Sequence, residues 1–317
     1  MMTFDDIRLF TRRSVLALLL GACTAPAWAA PPVPLLWKVS DADNSVYLLG
    51  SFHLLKPADY PLSPDVDAAF NASESVLFEI APQEMASPAL AMQMQLAGIR
   101  SDGTQLDDDL SAPIRTRLAT WASVNRAVLE QMGLPAEALQ SFKPWFAGLM
   151  ISLVEMKRQG LDPALGLDQH FATRAQANGK PTAGLETGAQ QLAFLDAMDH
   201  DEQVQFLDEA LSESDPANHE LEQLHTAWRG GDVSTLWRVM AAEMKRGYPK
   251  LYQHMDIDRN DAWLPKIEQR LKTPGHDDTL VVVGALHLLG NDGVVEKLRA
   301  RGYRVERLCS ACIAGNH

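Results

Sequence analysis

Apolar and polar positions alternate along this chain in two rhythms. Near the start, "LLWKVS" and "SVYLLG" are short apolar runs separated by the turn cluster "DADN", which predicts a hairpin. "SPDVDAAFNAS" opens with Ser63 and Pro64, a favourable N-cap and first helical position, and predicts a helix. "SVLFEI" reads as a buried strand ending at Glu79 and Ile80. From about Ala86 to Ala177 the rhythm changes. Apolar residues recur three and four apart, as in "SAPIRTRLATWASVNRAVLEQM" and "PWFAGLMISLVEMKRQG", and predict helices. "KPTAGLE" is a further strand ending at Glu186, and more helices fill Gly188 to Arg270. The chain closes with "TLVVVG" as a strand, "GVVEKLRARG" as a helix and "YRVERL" as a strand.

The element order is therefore β-β-α-β, a long helical section holding one strand, then β-α-β. Strands alternating with helices predict an α/β fold with a largely parallel or mixed central sheet flanked by helices. The helical sections, about 86–177 and 188–256, are expected to form an insertion lobe within a single domain covering 30–317. No repeat array or low-complexity linker interrupts it.

Four of the expected strands end in a chemically useful residue. "VYLLG" is followed by His53 and "LVVVG" by His287, each in the form Gly, two residues, His, Leu-Leu. "SVLFE" ends in Glu79 and "PTAGLE" in Glu186. In open α/β sheets, functional groups gather beyond the carboxyl ends of the strands. If these strands are parallel neighbours, two imidazoles and two carboxylates meet at one edge. Such a set suits Mn²⁺, Co²⁺, Zn²⁺ or Fe²⁺. A metal there could activate a water, and a carboxylate left off the metal could act as general base.

Composition bounds this picture rather than changing it. The chain has 317 residues, 46% hydrophobic and 22% charged, which is ordinary for a globular protein. A net charge of −13 argues against a nucleic-acid surface. "RLFTRRSVLALLLGACTAPAWAA" reads as an export signal over residues 1–29: arginines, an apolar run, then small residues. Within it, "AWA" is a cleavage site that would free a soluble product near Ala30, whereas "LGAC" resembles a lipobox that would anchor a lipid at Cys23. "TRRSVL" fits either a twin-arginine signal or an ordinary basic leader. The expected location is periplasmic or secreted, with no transmembrane helix beyond the signal. Cys309 and Cys312, in "CSAC", are expected to be a loose disulfide or two idle thiols.

The residues at the strand ends also carry a resemblance. "LLGSFHLL", "VLFEIAP", "GKPTAGLETGAQQLAFL", "DRNDAWLPKI" and "VVVGALHLLGNDGVVEKLRARGYRV" resemble the TraB/GumN family, which includes the animal TIKI proteins, over nearly all of the chain beyond the signal. TIKI proteins are described as divalent-metal-dependent proteases acting on secreted signalling proteins through two Gly-x-x-His histidines and a glutamate. The resemblance implies metal ligation by His53, Glu79 and His287. "GLET" implies a catalytic part for Glu186, and "DRN" one for Arg259 together with a substrate contact at Asn260. A guanidinium near a metal could neutralise an oxyanion or hold a carboxylate. The expected function is an exported metal-dependent hydrolase with a peptide or protein substrate. The rival is a periplasmic haem- or metal-binding protein, or one that sequesters a peptide without cleaving it.

Overall fold

In the computed structural model, residues 30–215 and 218–312 are described. The expected export signal over 1–29, with Cys23, lies outside them. A six-stranded sheet forms from β1 (Leu36–Ser40), β2 (Ser45–Ser51), β3 (Ser75–Ile80), β4 (Thr182–Glu186), β5 (Thr279–Gly284) and β6 (Arg304–Arg307). Their order across the sheet is β4-β3-β5-β2-β1-β6. The first four are mutually parallel, and β1 runs antiparallel to β2 and β6. The fold is thus a mixed α/β sheet flanked by helices, as the pattern predicts.

Every residue of β2 and β5 is buried, which suits central strands covered on both faces. β6 alternates exposed and half-buried positions and lies at the sheet's edge. The hairpin joins β1 to β2 with Leu36 opposite Leu49 and Ser40 opposite Ser45. The four strands with chemically useful ends, β4, β3, β5 and β2, are consecutive neighbours.

Two apolar clusters hold the molecule together. One lies on the sheet and includes Leu48, Phe70, Trp228, Trp263 and Val281. The other fills the helical section, around Trp121, Trp145, Ile151 and Leu207. In that section the helix Pro144–Arg158 packs on the helix His200–Glu213. Helix ends follow local chemistry. Thr187 and Gln190 form a reciprocal cap for the helix Gly188–Asp196. That cap leaves the Glu186 side chain to other partners. Ser63 stands at the predicted cap of Pro64–Ala72, but its hydroxyl makes no capping bond. Cys309 and Cys312 are joined as a disulfide. Among the described residues no helix is long and apolar enough to cross a membrane.

Candidate functional site at the strand ends

His53 follows β2 and His287 sits in the single turn Ala285–Leu288 that follows β5. Glu79 and Glu186 lie at the ends of the neighbouring strands β3 and β4. The sheet order therefore carries all four to one edge. Arg259 and Asn260 arrive from the first turn of the helix Asp258–Lys272. Gly284 lies at the centre. A Cβ built there would stand 3.2 Å from Glu79 Oε1, 3.4 Å from His53 Nε2 and 3.5 Å from His287 Cδ2. A side chain at this position would intrude among the functional groups, which explains the glycine. Its backbone N–H also donates to Glu79 Oε1 at 2.7 Å.

Each histidine is oriented from behind. His53 Nδ1 lies 2.7 Å from Asp168 Oδ2, which also accepts from the Ser51 hydroxyl at 2.5 Å. A carboxylate only accepts, so Nδ1 carries a proton and Nε2 faces Glu79 Oε1 at 4.0 Å. His287 Nδ1 lies 2.9 Å from Asn260 Oδ1 and 3.0 Å from Asp256 Oδ1. On its other side, Arg259 Nη1 is 3.1 Å from His287 Nε2. A guanidinium only donates, so His287 Nε2 is the acceptor and its proton resides on Nδ1. In the neutral form His53 Nε2 faces Glu79, whereas the Nε2 lone pair of His287 accepts from Arg259. An Nδ1–H tied to a carboxylate or carbonyl is the arrangement that orients metal-ligating imidazoles.

Charge in the site is dominated by Arg259. It donates to Glu79 Oε2 at 2.5 Å and to Glu186 Oε1 at 2.7 Å through Nη2, and again to Glu186 through Nε at 3.1 Å. Trp263 Nε1 donates to Glu186 Oε2 at 3.0 Å, and its rings meet both His287 and the guanidinium. Burial pushes the Glu79 carboxyl up, but Arg259, then His287 and His53, outweigh it and hold Glu79 well below the usual carboxylate range. Asp168 pulls the His53 pKa up to about 9 against the opposing effect of desolvation. The His53 side chain is 56% exposed, so water moderates that attraction.

The site opens into a cleft of about 450 Å³ whose lining includes His53, Glu79, Arg259 and His287. Two expected residues do not border it. Glu186 is buried, with its oxygens bonded to Arg259, Trp263 and Gln191. A general base must reach water or substrate, and in this structure Glu186 lies behind Arg259 instead. Asn260 is fully buried, with its carbonyl on His287 and its amide on the Asp292 carbonyl.

The sequence reading missed Asp168 and Asp256. Asp168 lies within "LGLDQHF", at the start of the helix Leu167–Ala177. The signal was Gly166. A Cβ there would overlap the His53 carbonyl, so only glycine lets this segment lie on the histidine's backbone and bring Asp168 to its ring. Asp256 sits in a π-helical turn, Gln253–Ile257, that no periodicity marks.

The donor types of this set, two imidazoles held through Nδ1 and a carboxylate, suit a divalent ion, but His287 Nε2 and Glu79 Oε2 here accept from Arg259. Among the described residues no three His, Cys, Asp or Glu side chains are already clustered closely enough to clasp an ion. The positive charge among these donors is the Arg259 guanidinium.

The sequence profile of the TraB/PrgY/gumN family matches residues 35–307. Metalloprotease TIKI1 of Danio rerio is 24% identical over 314 residues, covering 86% of this chain and 62% of that protein. Uncharacterized protein YbaP of Escherichia coli (strain K12) is 24% identical over 172 residues, covering 54% of this chain and 62% of that protein. The chain thus spans less than two thirds of the length of these relatives. No solved structure gives a significant match.

Proposed function

The chain belongs to the TraB/PrgY/gumN family, and from that premise we propose that it is a metal-dependent hydrolase of peptides. The observation that carries this reading is the meeting of His53 Nε2, Glu79 Oε1 and the His287 ring around Gly284, with each ring held through its Nδ1. The similarity to Metalloprotease TIKI1 supports it. His53, His287 and Glu79 would hold a divalent ion such as Mn²⁺, Co²⁺ or Zn²⁺. When bound, the ion would polarise the scissile carbonyl and acidify a water. The protein's own residues do the rest. Asp168 and Asn260 fix the two rings. Glu186 and Trp263 hold Arg259 at the cleft floor, where its N–H groups donate to Glu79, Glu186, His287 and the Met255 carbonyl and fix the carboxylates in place. The depressed pKa of Glu79 suits a ligand more than a base.

A second reading is favoured by the apolar walls of the cleft and by the guanidinium among the donors: a ligand-binding protein in which nothing is hydrolysed. The export and location expected for the chain remain part of the proposal, because they rest on residues 1–29. Calorimetric titration with Mn²⁺, Co²⁺ and Zn²⁺, followed by cleavage of a peptide library with and without chelator, tests the proposal. One ion bound per chain, lost in His53→Ala and His287→Ala, with chelator-sensitive cleavage, is the expected result. A wild type that binds none of the three ions gives way to the second reading.

A further inference from the structure

The walls of the cleft differ in kind from its floor. Five methionines, Met94, Met156, Met240, Met244 and Met255, line it together with Phe206. All six are half-buried, so their side chains are packed at the root yet open to the cleft. Methionine is unbranched and polarisable, and surfaces rich in it adapt to apolar groups of differing shape. These side chains come from separate helices of the inserted section, whereas the polar floor comes mainly from the strand ends.

Backbone geometry supports a binding role. Met240 lies in one π-helical turn, Arg238–Ala242, and Met255 in another, Gln253–Ile257. A π turn gives up regular helical hydrogen bonding and persists most often where a functional side chain must be re-aimed. Here both occur within one stretch of chain, and each contributes a methionine to the same cleft. The second also places Asp256 against His287, so wall and floor share one backbone irregularity.

We propose that this wall is the specificity subsite: it receives a large apolar side chain of a peptide substrate next to the bond lying over His53, Glu79 and His287. The inference rests on the peptide-hydrolase reading and names its substrate class. The volume of about 450 Å³ lies in the range of ordinary ligand sites. Glu213 and Glu220 interrupt the apolar lining. A long acyl chain would lie against those carboxylates, whereas a peptide alternates apolar side chains with polar main chain and can satisfy both.

The test separates binding from cleavage. Labelled decapeptides that differ at one central residue are titrated into the metal-free protein and followed by fluorescence anisotropy. Peptides with Leu, Met or Phe should bind about tenfold to a hundredfold more tightly than the Ser or Asp peptide, the discrimination an apolar pocket typically gives. Met240→Glu and Met244→Glu should erase the preference, and Met240→Leu should keep it. If the glutamate variants fail to fold, the wild type still decides. A peptide carrying p-benzoylphenylalanine at the central position should crosslink on illumination to Met240, Met244 or Met255, located by mass spectrometry. Equal affinity for all side chains, or adducts only elsewhere, overturns the inference. So does binding of dodecanoate with no binding of any peptide, which assigns the wall to an acyl chain. Selective binding with no cleavage under any of the three metals keeps the subsite and sinks the hydrolase. Chelator-sensitive cleavage without side-chain preference does the reverse.

Discussion

Replacing Arg259 by Met removes the one positive charge that Glu79 and Glu186 share. Arg259, Glu79 and Glu186 are only 6%, 8% and 5% exposed, so water cannot take over the lost hydrogen bonds. Breaking a buried ion pair from one side typically costs about 3–5 kcal/mol, because the partner charge stays buried and unpaired. Arg259 serves two carboxylates and His287, which places this substitution toward the upper end of that range. At about 2–4 °C per kcal/mol for a chain near this size, the midpoint of thermal unfolding should fall by roughly 6–20 °C in the presence of chelator. The deficit should shrink as pH falls, since the unpaired carboxylates can then take up protons. A divalent ion bound by Glu79 and the histidines would supply the missing charge. Mn²⁺ or Zn²⁺ at 100 times its dissociation constant should return about 2.7 kcal/mol, and should raise the variant's midpoint more than the wild type's. The assay is thermal unfolding by circular dichroism at pH 7 and pH 5, with chelator and with metal. A loss below about 1 kcal/mol at pH 7 would show that the guanidinium does not hold these carboxylates. Equal metal stabilisation of both proteins would show that it does not stand where a cation binds.

Three further outcomes are expected. Asp168→Ala should weaken divalent-metal binding on the order of 10–100-fold in calorimetric titration, with Asp168→Asn in between, because the carboxylate fixes His53 through Nδ1; unchanged affinity in both would detach Asp168 from the site. Gly284→Ala should leave the overall fold, read by far-ultraviolet circular dichroism, while lowering metal affinity, since its methyl would press on Glu79 and His53; an unaltered titration would refute that crowding. Asp59 is buried against His225, the Lys56 amide and Arg229. Burial raises its pKa, yet the hydrogen bonds from His225 and Lys56 prevail and hold the folded carboxyl below its ordinary value. Its contribution to stability is therefore complete above about pH 4 and is lost as pH falls through the lowered folded value. Urea unfolding should show Asp59→Asn less stable than wild type at pH 7 and the gap closing toward pH 3; a gap that stays constant would contradict the assignment.

The strands and their chemistry were legible in the chain because each is a local matter. A continuous apolar run such as "TLVVVG" needs two covered faces, and the glycine that ends it permits the turn that carries His287. Likewise the period of three and four in "PWFAGLMISLVEMKRQG" suffices to place a helix. What the chain alone left open was strand order, and with it the company each residue keeps. The order β4-β3-β5-β2 is set by long-range packing, and it brings Glu186, Glu79, His287 and His53 together from four distant segments. Strand-end position does not reveal the burial of Glu186, which Arg259 and Trp263 enclose. Asn260 follows Arg259 in "DRN", yet successive residues on a helix point about 100° apart, and only the fold shows that it turns beneath His287. Asp168 meets His53 across 115 positions of chain. No periodicity encodes that pairing. It exists because a glycine two residues earlier lets one backbone lie against another, and only the folded chain brings the two backbones there.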